Sequence, residues 1–114
     1  MAYTDLTTQV ISKTGIIPTY AAAVLTDGNK FINTGKEFIH VVNASGSSIN
    51  VTMPTPAQVA GLEIEDKVVA IGAGVDTMIG PFEPGFYNQS GGDKGKTYIE
   101  FSAVTSVTVA VLRV

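Results

Sequence analysis

The stretch Ser106-Val107-Thr108-Val109-Ala110-Val111-Leu112-Arg113-Val114 decides how the rest of the chain is read. Val107, Val109 and Val111 fall on one side of an extended backbone, with Ser106, Thr108 and Ala110 on the other. Successive side chains leave a strand on opposite faces, so this alternation predicts a half-buried strand. Ser48 to Met53 repeats it, setting Ile49, Val51 and Met53 against Asn50 and Thr52. Residues 37–43 are apolar on both faces through Phe38, Ile39, Val41 and Val42. That predicts a central strand, or one whose outer face meets a partner.

Further strands are expected over residues 7–12, 31–33, 67–71, 77–82 and 97–102, giving about eight in all. Turn chemistry separates them at Asp27-Gly28-Asn29, Thr34-Gly35, Ala44-Ser45-Gly46-Ser47, Gly72-Ala73-Gly74 and Gly91-Gly92-Asp93. The turn at Ser45-Gly46 is short enough to join its flanking strands as a hairpin. Helix signals are confined to residues 55–61: Thr55 suits an N-cap, Pro56 the first helical position and Gly61 the end. The expected fold is all-β, a β-sandwich or jelly-roll-like domain of about eight short strands with at most one short helix. Residues 1–14 read as an N-terminal arm or first strand, and 15–114 as a single β-sandwich domain.

With 114 residues the chain holds one domain, large enough for a core without covalent staples. It has no cysteine, which excludes disulfides, thiolate zinc sites and a thiol nucleophile. Charged residues make up only 15%, the net charge is −3 and the lysines are scattered. No basic patch exists to neutralise a phosphate backbone, so nucleic acid is not an expected partner. The start lacks the pattern of a secretory signal, and the apolar run from Tyr20 to Leu25 is too short to span a bilayer. The expectation is a protein made in the cytoplasm. Asn43, Asn50 and Asn88 head Asn-x-Ser/Thr triplets, expected by chance in a chain this rich in those residues.

Each candidate for chemistry has a plainer reading. Gly91-Gly92-Asp93-Lys94-Gly95-Lys96-Thr97 ends like a phosphate-binding loop, but the glycine spacing is short by one and a strand follows where a helix should start. It reads as a polar hairpin tip. His40 is the only histidine, and it reads as a partly buried side chain bonded to a backbone group. A triad with Ser45, Ser47 or Ser48 would require it to reach back along a hairpin, and no nucleophile elbow is present. Glu63, Glu65 and Asp66, with Asp76 further on, match no calcium loop; they read as a solvated strand edge. Phe82, Phe86 and Tyr87 form the best candidate ligand loop, although Pro81 and Phe82 at a corner more often plug the end of a sandwich. No catalytic, cofactor-binding or metal-binding set is expected.

Residues 15–22, Asn29 to Val41, Ile79-Gly80-Pro81-Phe82 and the ending from Tyr98 to Leu112, with its Ser102-Ala103-Val104-Thr105 turn, resemble a group of small tailed-bacteriophage virion proteins. The resemblance spans about residues 15–114 and consists of strand-and-turn patterns without a catalytic signature. It implies a head decoration (cement) protein of the virion, a small β-sandwich binding the major capsid protein on the outer capsid surface, without enzymatic activity. Such a protein would be a homo-oligomer, with a trimer favoured, and an N-terminal arm could add a strand to a neighbour. The alternatives are a receptor- or glycan-binding module of a phage fibre, using an aromatic groove near Phe82 to Tyr87, and a head–tail connector or tail subunit. Partner contact residues are not assigned by the pattern.

Overall fold

The computed structural model describes residues 3–25, 28–56, 58–63 and 65–113. In chain order its strands are β1 (Thr4–Asp5), β2 (Thr8–Val10), β3 (Ala21–Ala22), β4 (Asn29–Ile32), β5 (Glu37–Asn43), β6 (Ile49–Met53), β7 (Gln58–Val59), β8 (Leu62–Glu63), β9 (Lys67–Ile71), β10 (Asp76–Ile79), β11 (Lys96–Phe101) and β12 (Val107–Arg113). A one-turn helix, α1 (Pro84–Tyr87), and a 3-10 turn at Gly91–Asp93 complete the described elements. The fold is all-β, as the alternation predicts.

Sheet one has the order β1-β4-β11-β6-β9; sheet two runs β10-β5-β12-β2, with β3 also on β12. Pairing is antiparallel except where β1 lies parallel to β4 and β2 parallel to β12. The alternating residues do what their pattern requires. Val107, Val109 and Val111 of β12 face inward with Ile39 and Val41 of β5, while Phe31, Ile49, Val51, Met53, Ile99 and Phe101 approach from sheet one. All are buried, and together they form one hydrophobic core. Strand β5 is central in its sheet, between β10 and β12, which explains why it is apolar on both faces.

The N-terminal stretch is engaged within its own chain. Thr4–Asp5 pairs with β4, Leu6 sinks into the core, and Thr8–Val10 crosses to pair with β12. One extended segment therefore belongs to both sheets and closes one flank of the sandwich.

Two local expectations are corrected. The turn at Ser45-Gly46 is not a hairpin, because β5 lies in sheet two and β6 in sheet one. Asn43 is the cause: wholly buried at the end of β5, its side-chain amide donates to the carbonyls of Ser47 (2.9 Å), Ile71 (3.3 Å) and Gly72 (3.1 Å). Its oxygen accepts the Ser45 amide at 3.1 Å and the Ser45 hydroxyl at 2.6 Å. These bonds turn the chain out of one sheet and into the other. The helix expected over residues 55–61 is also absent among the described residues, Ala57 lying outside them. Strands β7 and β8 form a small ribbon instead, and Ala60 and Gly61 take φ of 54° and 80° at its turn. Positive φ at both central residues suits a tight hairpin, and it outweighs the capping signals of Thr55 and Pro56.

Glycine is required at position 28. Its φ is +70°, and a Cβ there would lie 2.5 Å from the Ile99 carbonyl oxygen. Asn43→Ala should lower stability by about 3 kcal/mol, because several buried groups lose their partner. Asn50→Ala, on an exposed strand position, should stay within about 0.5 kcal/mol. Urea denaturation of both variants checks this, with equal midpoints refuting it.

Candidate functional site

His40 sits on the outer face of β5, the side opposite the core, and is half-buried. Its Nδ1 lies 2.6 Å from the Tyr20 hydroxyl and its Nε2 lies 3.0 Å from an Asp76 carboxylate oxygen. An imidazole with its proton on Nε2 satisfies both contacts, accepting from Tyr20 and donating to Asp76. Its partners are thus side chains, not the expected backbone group. The reason is topological: β10 pairs with β5 and sets Asp76 on the same face. Ser45 is bonded to Asn43 and Ser47, so His40 and the serine form no triad. The Tyr20–His40–Asp76 chain lies on an open sheet face with the Asp76 side chain 64% exposed. It acts as a latch that fastens Tyr20 to the sheet.

A second fastening lies beside it. The Gln9 side chain accepts the Thr19 amide and donates to the Thr19 carbonyl, both at 2.8 Å. Residues 11–18 are therefore tied at one end by β2 and at the other by Thr19 and Tyr20. Ala110 and Leu112 of β12 point away from the core yet are buried, so the outer face is covered over β12. Ala110 shares a cavity of about 320 Å³ with Gln9, Thr19 and Ala21. The covering segment itself presents Val10, Ile11, Ile16, Ile17 and Tyr20 to solvent, with Ile17 92% exposed.

The outer face of sheet one carries polar and aromatic residues beside exposed Ile32 and Val68. Tyr3 and Tyr98 stack with centroids 3.7 Å apart and planes 5° from parallel, and the Tyr3 hydroxyl donates to Glu100. Asp93 accepts from the Tyr98 hydroxyl and pairs with Lys30 at 2.9 Å. These bonds, Tyr98 first, hold the Asp93 carboxyl below its ordinary range, and the same hydrogen bond pushes Tyr98 up to about 12. Lys96 pairs with Asp5 at 2.8 Å. The loop that resembles a phosphate cradle is thus occupied internally: Asp93 and Lys96 bond other strands, and the buried Thr97 hydroxyl donates to Asn88.

The remaining candidates disperse. Asp66 accepts from the Thr55 amide and hydroxyl, Asp76 belongs to His40, and Glu65 is exposed. The Glu63 side chain lies outside the described residues. Among the described residues, no group of three His, Asp or Glu side chains is placed to hold a metal ion. Phe82 is buried against Phe31 and Tyr87 as a corner plug, while Phe86 is 42% exposed. Asn43 is wholly buried and therefore closed to glycosylation, and Asn88 is half-buried.

Glu37 is a wholly buried carboxylate held by the Thr34 amide (2.7 Å), the Thr34 hydroxyl (3.0 Å) and the Lys36 amide (3.3 Å). Burial pushes its pKa up, but these donors together outweigh it and the net shift is downward. Its contribution to stability is then complete above the unfolded value near 4.3 and is lost as pH falls through the lowered folded value.

Below about pH 4.3 the wild-type chain should lose stability more steeply than Glu37→Gln; parallel acid profiles in denaturant titrations would refute this. Tyr20→Phe removes the latch donor and should cost about 1 kcal/mol. Amide hydrogen exchange should rise in residues 16–20 while the core strands keep their protection. Comparison with protein-family models, curated proteins and solved structures finds no match for this chain.

Proposed function

We propose that this chain is a non-enzymatic capsid decoration protein of a tailed-phage head, binding the outer surface of the shell and stabilising it. One observation carries the reading. His40, Asp76, Asp93 and Lys96 are engaged in internal hydrogen bonds, whereas five large apolar or aromatic side chains of one short segment, Val10, Ile11, Ile16, Ile17 and Tyr20, face outward. Single exposed apolar residues are ordinary on a protein surface, but a concentration of them marks a contact region. This segment is pinned to the sheet through Gln9 and Tyr20, so docking it sacrifices little conformational freedom. The resemblance supplies the partner, the major capsid protein, and a homo-oligomer, with a trimer favoured, as the bound form.

Since β1 and β2 pair within the chain, the proposed contact is the folded exterior and not a free arm. The glycan-binding alternative needs an exposed aromatic groove from Phe82 to Tyr87. Phe82 faces the core, which leaves Phe86 as the exposed ring and weakens that alternative.

Purified protein mixed with undecorated heads should co-sediment saturably. Ile17→Asp, at a position 92% exposed, should leave folding intact and weaken co-sedimentation by about tenfold or more. Protein that stays in the supernatant at every ratio would overturn the assignment.

A further inference from the structure

The flank opposite the N-terminal segment is open. Strands β9 and β10, joined through residues 72–75, are the terminal strands of sheet one and sheet two, and neither has a second neighbour among the described residues. Main-chain direction follows from the backbone hydrogen bonds. The Asn43 amide donates to Val75, so Val41 and Ile39, of the same parity, turn their main-chain groups toward β10. Their register partners Thr77 and Ile79 answer them. Asp76 and Met78 are left with N–H and C=O groups pointing away from the sheet. On β6 the Asn50 carbonyl faces β11 and accepts the Ser102 amide, so Val51 turns its main-chain groups to Val69 of β9, and Val68 and Ala70 carry outward ones.

Beside the β10 edge lies a groove of about 290 Å³ lined by Val69, Thr77, Ile79, Pro81, Phe82 and Tyr87. Val69, Ile79 and Tyr87 are the half-buried margin of the hydrophobic core, which is reached here from outside. A free strand edge accepts an extended chain through its main-chain groups, and an adjoining apolar groove selects alternate side chains. Nearby charges specify the rest. Glu65 and Asp66 line a depression that shares Lys67 and Tyr87 with the groove. Glu83 lies close enough for its charge, added to burial, to raise the Tyr87 phenol. These carboxylates, with Asp76 64% exposed on the outer face of β10, disfavour a second copy of this acidic chain and favour a basic segment.

We propose that the free edge of β10 accepts an extended strand from a different protein, with apolar residues entering the groove and the alternating residues, which leave on the outer face beside Asp76, being basic. This site is distinct from the exposed segment at residues 10–20 and does not depend on the capsid assignment.

The test uses two octapeptides, one alternating Val and Lys and the other Val and Glu, with amide hydrogen exchange read by NMR. The Val-Lys peptide should slow exchange at Asp76 and Met78 by about tenfold or more and saturate. The Val-Glu peptide should bind about tenfold more weakly or not at all. Met78→Pro removes an outward N–H without breaking the ladder and should abolish the effect, whereas Val68→Pro makes the same change on β9 and should retain it. Protection at Val68 and Ala70 instead, equal binding of both peptides, or no protection of β10 at any concentration would overturn the proposal. So would concentration-dependent protection of Asp76 and Met78 without peptide, which would identify a second copy as the occupant. The exchange measurement on the wild-type chain stands even if a proline variant fails to fold.

Discussion

A chain that builds a two-layer sandwich by repeatedly changing sheets must satisfy the backbone groups released at each crossing. This protein does so largely with asparagine. Asn43 gathers the carbonyls of Ser47, Ile71 and Gly72 at the β5–β6 crossing. At the other end, Asn33 donates to the Phe82 carbonyl and to Asn88, which returns a bond to the Asn33 carbonyl. Asn29, wholly buried at the start of β4, accepts the Val24 amide. The carboxamide suits this use because it carries both donors and an acceptor without charge. Buried Glu37 performs a similar task for residues 34–36 at the cost of placing an ionised group inside, which couples that end of the fold to acid.

These corners make the four sides of the molecule unequal. On sheet one the outer face is closed by the stacked tyrosines and the Lys30–Asp93 and Lys96–Asp5 pairs. Over β12 the outer face of sheet two is covered, beside an apolar segment latched through Gln9 and the Tyr20–His40–Asp76 chain. One flank is sealed by the N-terminal stretch that belongs to both sheets, and the other is left with two unpaired strand edges. His40, Asp76, Lys30, Asp93, Lys96 and Asp5 serve as fasteners between elements distant in sequence.

Much of this was legible in advance, and the rest was hidden for identifiable reasons. The eight expected strands all coincide with observed ones, and the added strands β1, β3, β7 and β8 are each two residues long, too short for alternation to register. The reading of Phe82 as a corner plug agrees with its burial. His40 was singled out, but its partners Tyr20 and Asp76 lie 20 and 36 residues away and carry no local signal. Asp93 and Tyr98 met the same obstacle, since Lys30 and Tyr3, which they meet, lie far away in the sequence. The helix signals at Thr55, Pro56 and Gly61 were real but weak, and tertiary context overrode them.

By itself, then, the sequence determined that the chain is all-β and where most strands and turns fall. Alternation and turn chemistry are properties of a few neighbouring residues and survive without knowledge of the rest. It did not determine which sheet a strand joins. The Ser45-Gly46 turn shows why: a short polar link serves equally for a hairpin or for a crossing, and the choice rests with Asn43 and the carbonyls it meets from residues 71 and 72. Only the tertiary structure decided that, along with the latch at His40 and the open edge of β10, because each depends on contacts between segments far apart in the chain.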